Sequence, residues 1–420
     1  MSKIANVFSR EILDSRGYPT VETTVVLSTG HHGTASVPSS AASGKYEAVE
    51  IRDHDLGRFN GYGVLTAVAN VNQKIAPAVK NLDVTSQTKL DQRLIDLDGT
   101  ANKALLGGNA ILSVSLAGLK AAASFFNLPL YRYIFQKYRL TPKLAKLPSP
   151  TFNIINGGAH GAGNLDFQEF HIIPSVRFPY HTALQIGEEI YQALKHTLKN
   201  RDAIHSVGDE GGFAPNLFTN MDALEVMMEA IDSTAYKFAQ DVFLGLDVAA
   251  TFFYQNGHYQ IKDRAQPFSG GELIDYYSQL NRQYRLFSLE DALAPDDWDG
   301  WAKLTNDLAE DTLIVGDDLL STNAHRVKKA IETHACNAIL VKPNQAGTVS
   351  ETISVIKLAK TAGWKIIASH RSGETNDTFI ADFAVGIGAD YTKFGAPARG
   401  ERVAKYNRLL AIESEINLIK

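Results

Sequence analysis

Six short apolar runs in the second half of the chain each finish on a side chain that can do chemistry. VFLGLD ends at Asp247, RLFSLE at Glu290, TLIVGD at Asp317, AILVK at Lys342, KIIASH at His370 and ADYTK at Lys393. Three carboxylates on successive strand ends suit a hard cation such as Mg²⁺, which takes oxygen ligands and keeps room for waters and substrate oxygens. Taken singly, each acid also reads as a turn residue or a helix N-cap; their recurrence in three successive units favours the ligand reading. Lys342 and Lys393 read either as solvated strand-end charges or as groups beside a metal. In the second case neighbouring positive charge favours the neutral amine, which is a base. Asp209 and Glu210, in SVGDEGGFAPN, sit among glycines, where a backbone can turn sharply and approach a ligand. An ordinary acidic turn has the same composition, and His160, in INGGAHGAGN, is open in the same way.

These groups need a scaffold that brings strand ends together. The six ends are separated by 43, 27, 25, 28 and 23 residues, and helical patterns such as AHRVKKAIETH and SETISVIKLAKTAG fill the gaps. The spacing predicts β/α units with a parallel sheet, and six of them imply a (β/α) barrel with its functional groups at the carboxyl ends of the strands. The first third of the chain differs. Residues 3–37 alternate with period two, and TVETTVVLSTGHHGTASV carries a Thr-Gly turn that predicts an antiparallel hairpin. Helical patterns follow in VLTAVANVNQKIAPAV, in TSQTKLDQRLIDL with Leu90, Leu94 and Leu97 on one face, and in AILSVSLAGLKAAASFF, which is apolar nearly all round and so expected to be buried. This predicts an α+β domain over residues 1–140. TPKLAKLPSP, with Pro142, Pro148 and Pro150, reads as a linker because proline disfavours both helix interiors and central strands. The barrel domain is placed at 141–420, with its first structured residues near Thr151.

Composition narrows the function. The 420 residues are 45% hydrophobic, enough for a large core. The 41 Lys+Arg against 46 Asp+Glu leave a net charge of -5, of the wrong sign for binding nucleic acid or an anionic membrane. Small-molecule chemistry is the expectation. Cys336 is the only cysteine, which suits a reducing compartment and predicts a small core residue. The N-terminus has no apolar stretch of signal-peptide kind, and nowhere do about eighteen apolar residues run together, so a soluble, cytoplasmic protein without a membrane span is expected.

The motifs SREILDSRG, EAVEIRD, LIDLDGT, GGNAILSVSLA, NIINGGAH, QEF, VGDEGGFAPN, LFSLEDALAPDDWDGW, LIVGDDL, ILVKPNQ, SHRSGET and RVAKYNRLL, in this order over nearly the whole chain, resemble those of enolases. The resemblance implies an α+β N-terminal domain with a mobile lid, a modified (β/α)8 barrel, Mg²⁺, and reversible dehydration of 2-phospho-D-glycerate to phosphoenolpyruvate in glycolysis and gluconeogenesis. It implies roles by position: Lys342 as the base and Glu210 as the acid, with His160 and Glu169 nearby. Asp247, Glu290 and Asp317 match the first magnesium site. Arg371 and Ser372 match phosphate contacts, Lys393 a carboxylate contact, and His370 lines the pocket.

Some positions depart from the family. PSSAASG stands where a loop close to PSGASTG is usual, so Ser40 replaces a glycine and Ala42 replaces a serine that gives the second magnesium a ligand. That implies a weakened second site. Tyr18 stands for asparagine, Pro343 follows the base, Phe394 replaces threonine and Gly400 replaces serine. The resemblance also implies a homodimer in which N-terminal strand charges meet a C-terminal segment like LLRIEEE; here the segment is LLAIESE, so Arg10 and Glu22 face Ala411 and Ser414 at the expected partner positions. Two other readings stay open: a related acid dehydratase, against which Arg371 and Ser372 argue, and a weakly active paralogue kept for protein binding.

Overall fold

The structure is a computed structural model that describes residues 2–40, 44–144, 146–161 and 165–418. Ala42, on which the expected weakening of the second metal site rests, lies outside the described residues.

The N-terminal hairpin forms as expected, with a further strand on its edge. β1 (Ile4–Leu13), β2 (Pro19–Leu27) and β3 (His32–Ser36) make an antiparallel sheet in which Val26 faces His32 across the turn. β2 alternates strictly enough that Val21, Thr23 and Val25 are buried, and they pack toward the helix Gly108–Phe125. That helix is buried along almost its whole length, in accord with its apolar circumference. The pattern over 64–79 is helical but broken. It runs as Leu65–Ala69, a π-turn Asn70–Ile75, and Ala76–Val79, where Pro77 has no N–H to give the preceding turn.

The rest closes into an eight-stranded barrel. Its strands are β4 (Ser149–Asn156), β5 (Glu169–Pro174), β6 (Val242–Asp247), β9 (Leu286–Glu290), β10 (Leu313–Gly316), β11 (Ala338–Val341), β12 (Lys365–Ser369) and β13 (Tyr391–Lys393), while β7 (Tyr254–Gln255) and β8 (His258–Tyr259) form a separate two-residue hairpin. The six strands read from the sequence pair in parallel from β6 to β13, as expected; β5, which the sequence pattern did not mark, runs antiparallel to both β4 and β6. Among its described residues the short connection between β4 and β5 has only the single turn Gly158–His160 and no crossover helix, and a parallel return needs one. One expectation is corrected, since Pro148 and Pro150 do not keep the chain out of the sheet: β4 begins at Ser149 and pairs Pro150 with Thr392 of β13. Near the start of a strand proline costs little pairing.

Cys336 is buried and free. Among the described residues no single helix is long and apolar enough to cross a membrane; the bent pair Gly108–Phe125 and Leu130–Tyr138 passes by composition, but the first of these is the core helix.

The helix Tyr180–Asn200 lies on β4 through Gly187, where a methyl group would stand 2.2 Å from Cε2 of the Phe152 ring. Alanine improves helix propensity by about 1 kcal/mol, whereas overpacking a full core costs about 1–3 kcal/mol. Gly187→Ala is therefore expected to lower the urea midpoint, and a midpoint at or above the parent's would show that the contact yields without strain.

Candidate active site

Strand register, more than loop conformation, assembles the charged groups. Glu169 of β5 is the pairing partner of Asp247 of β6, and Asp247 in turn pairs with Glu290 of β9. The Lys393 ammonium at the end of β13 donates to Asp247 Oδ2 at 2.8 Å and Glu290 Oε1 at 2.9 Å, and lies 3.3 Å from Glu169 Oε2. Lys342 follows β11 and hydrogen-bonds Asp317, which follows β10 and also accepts from Gln345 Nε2 at 2.9 Å. All are buried.

Glu210 enters from the loop after the helix Tyr180–Asn200. Gly211 there has φ +89°, and a methyl group on Gly212 would stand 2.4 Å from Asn156 Oδ1, so the glycines let the loop lie directly on β4. Asn153 Nδ2 donates to Glu210 Oε2 at 3.2 Å, His370 Nε2 lies 3.5 Å from it, and His160 Nδ1 lies 3.5 Å from Glu169 and 3.7 Å from Glu210. Arg371 Nη2 donates to Ser40 Oγ at 2.6 Å and to both oxygens of Glu47. Ser372 Oγ accepts from Arg16. One cavity of about 530 Å³ is lined by Lys342, Lys393, Arg371, Ser372, His370, His160, Glu169, Glu210, Asp247 and Asp317, together with Ser40, Gly44, Lys45 and Glu47 from the N-terminal domain. Its size suits a small metabolite.

The charges divide sharply. Burial pushes Glu290 well above the usual carboxylate range, aided by Asp247, and does the same to Asp291 beside Asp318. Asp318 is pushed up to about 6 by burial and Asp317. For Glu169, Lys393 with His160 and His171 overcomes burial and holds the group well below the ordinary range. Glu210 is brought down to about 2: burial and Glu169 oppose its charge, and His160 and His370 outweigh them. Burial opposes a charge on Lys342 too, but Asp317 prevails and its pKa rises; Asp247 and the neighbouring acids do the same for Lys393. The expectation of neutral lysines is one for groups beside a metal; with the protein's carboxylates alone around them, both are favoured as ammonium ions. The neutral form requires Asp317 to direct its charge at a cation instead.

The donor set fits such a cation. Oxygens of Asp247, Glu290 and Asp291 lie within 4.8 Å of one another, as do those of Asp291, Asp317 and Asp318. Asp247 Oδ1 is buried and has no hydrogen-bond partner among the described residues. Asp247 and Glu290 thus meet as expected, while Asp317 falls in the adjoining group. Asp291, which sequence reasoning passed over, joins the two: its carboxylate accepts from the N–H groups of Asp317 at 3.0 Å and Asp318 at 2.8 Å, shaping the loop that carries Asp317. The acid pairs Glu290-Asp291 and Asp317-Asp318 were the available signal. Glu47 and Gln168 open the motifs EAVEIRD and QEF without a role assigned from the sequence, and nothing in the sequence marked His171, whose Nε2 lies 2.9 Å from Glu169.

Residues 144–418 match the enolase C-terminal TIM barrel domain, and residues 4–134 match the enolase N-terminal domain. The chain belongs to the enolase family. It is 49% identical over 416 residues, 99% of this chain and 96% of the relative, to the enolase of Rubrobacter xylanophilus. Its activity is accordingly that of an enolase, a carbon–oxygen lyase of the phosphopyruvate hydratase kind.

In the enolase cavity His160 provides a pH test. Burial lowers its pKa, but Glu210 and Glu169 more than compensate and raise it from 6.5 to about 9. A raised folded-state pKa contributes stability that is complete below pH 6.5 and disappears as pH rises through about 9. In chelator, the gap in urea-unfolding free energy between the parent and His160→Asn is expected to narrow over that window. A gap that widens with pH would contradict it.

Proposed function

We propose that Lys342 removes the proton next to the substrate carboxylate of 2-phospho-D-glycerate and that Glu210 handles the departing hydroxide. What supports this reading is one cavity that combines three cationic side chains, Lys342, Lys393 and Arg371, with the ionised pair Glu169 and Glu210. Those cations suit a substrate with a phosphate and a carboxylate, and the carbon-bound proton needs positive charge where the dianion develops. Arg371 and Ser372 take the phosphate, Lys393 the carboxylate, and His160, Glu169 and His370 surround the leaving group.

Asp247, Glu290 and Asp317 would hold Mg²⁺, with Asp291 supporting the loop beneath. When bound there, the ion would supply positive charge for the substrate carboxylate, and Asp317, serving as its ligand, would no longer hold Lys342 as an ammonium. The second magnesium site is weakened by Ala42. In the hydration direction ionised Glu210 accepts the proton of the incoming water, and by reversibility it donates that proton in dehydration. Domains at 1–140 and 141–420 fit a cavity lined from both parts.

Lys342→Ala and Glu210→Gln are each expected to lower turnover by about 10²-fold or more while circular dichroism is unchanged, since each removes one proton-transfer group without opening a core void. Near-parental turnover in either would overturn the assignment.

A homodimer is proposed through the N-terminal domain, which exposes Phe8, Leu13, Leu56, Phe59 and Tyr62. Arg10 already pairs with Glu22 of its own chain at 2.6 Å, and Ala411 and Ser414 offer no charge across an interface. Packing is then the main bond, and sedimentation should show dimer dissociation nearly independent of salt; a steep salt dependence counts against it. A cytoplasmic location agrees with a single buried cysteine, and cell fractionation checks it.

A further inference from the structure

Arg402, in the first turn of the helix Gly400–Asn417, is fully buried, yet it neither lines the cavity nor carries any role assigned above. Its guanidinium reaches the two loops that do. Nη1 donates to His370 Nδ1 at 2.7 Å and to the Arg371 carbonyl at 2.6 Å; Nη2 donates to the Ser372 carbonyl at 2.6 Å and the Asp209 carbonyl at 3.2 Å. Room for this comes from Gly395. A methyl group there would stand 3.0 Å from His370 Cε1 and 3.2 Å from Arg402 Cδ.

An arginine side chain has donors only and keeps its charge at any pH the protein survives. The ring nitrogen that meets Nη1 must therefore present a lone pair. A neutral imidazole with a lone pair on Nδ1 carries its proton on Nε2, and Nε2 is the atom that lies 3.5 Å from Glu210 Oε2. We infer that Arg402 is a positioning residue: it fixes His370 as the Nε2–H tautomer directed at Glu210, and it ties the Asp209–Glu210 loop to the Arg371–Ser372 loop. His370 is then a fixed hydrogen-bond donor and not a proton carrier. A second proton on Nδ1 would point into a guanidinium. Burial and the Arg402 charge both act in this sense, and His370 is held below the ordinary histidine value in spite of Glu210. Asn153 gives Glu210 Oε2 a second donor from β4, so that oxygen is held from two sides. The inference rests on Glu210 being the group that handles the leaving hydroxide, but the tautomer itself does not.

The first test uses the whole, unmutated protein with ¹⁵N-labelled histidine. Among twelve histidines, His370 is assigned as the ring signal lost in His370→Gln. Long-range proton–nitrogen correlation near neutral pH is expected to show Nδ1 unprotonated and Nε2 protonated; an Nδ1–H tautomer or an imidazolium overturns the inference. Arg402→Lys keeps a donor-only cation and should keep the tautomer. Arg402→Met removes the donor, should release the tautomer, and should lower kcat by about a hundredfold with KM changed much less, as expected for loss of a hydrogen bond to a group used in the transition state. An Arg402→Met protein with parental kcat and an unchanged His370 spectrum would refute the assignment. If that variant does not fold, the parent and Arg402→Lys spectra still decide. Full activity in Glu210→Gln with the Nε2–H tautomer intact would remove the acid assignment and leave the Arg402 assignment standing.

Discussion

The constraint on which the rest of the structure depends is the burial of like charge at the end of the barrel where the parallel strands finish and the antiparallel β5 begins. Glu169, Glu210, Asp247, Glu290, Asp291 and Asp317 are all buried there. An unpaired ionised carboxylate in such surroundings costs several kcal/mol. Lys393 lies among Asp247, Glu290 and Glu169, and Lys342 lies on Asp317. Even so the cations do not suffice, and the acids divide into a set held ionised and a set, Glu290 and Asp291, pushed up well above the usual range. A site with that imbalance has a place for a divalent cation, and the Asp247 oxygen that has no partner among the described residues lies within it.

The N-terminal domain completes the cavity because it is tied to the barrel by polar groups that are themselves mostly buried. Asp91 accepts from the Ser350 N–H at 2.8 Å and its hydroxyl at 2.6 Å, Lys103 pairs with Glu351 at 2.9 Å, and Lys120 pairs with Asp377 at 2.7 Å. These ties set where Ser40, Lys45 and Glu47 arrive. Glu47 pairs with Arg371, so the proposed phosphate arginine is oriented by a residue from the other domain. Arg402 plays a comparable part from the C-terminal helix, holding the loops of Glu210 and Arg371 through their carbonyls.

Much of the fold was legible. The six strand ends from Asp247 to Lys393 follow from apolar runs of strand length separated by helical periods, a signal that burial on both faces makes strong. The first two barrel strands were not read in the same way. β4 carries Pro150 near its start, and β5 reverses direction, a choice made by the short connection and by its pairing with β6, which no local pattern records. The π-turn at Asn70–Ile75 was likewise hidden inside an ordinary helical period.

For the site, the sequence by itself determined which chemical groups stand at strand ends, because a strand boundary is a local change from apolar to polar and the ordered motifs around it carry the enolase resemblance. It also determined that positions 411 and 414 carry no charge, being Ala411 and Ser414. Only the tertiary structure decided how those groups meet. Asp291 links the two acid groups, Lys342 is paired with Asp317 and held charged, and His370 turns a fixed nitrogen toward Glu210 because Arg402 occupies the other. Electrostatic state and tautomer depend on distances of a few ångströms between residues far apart in the chain, and those distances are set by strand register and interdomain packing.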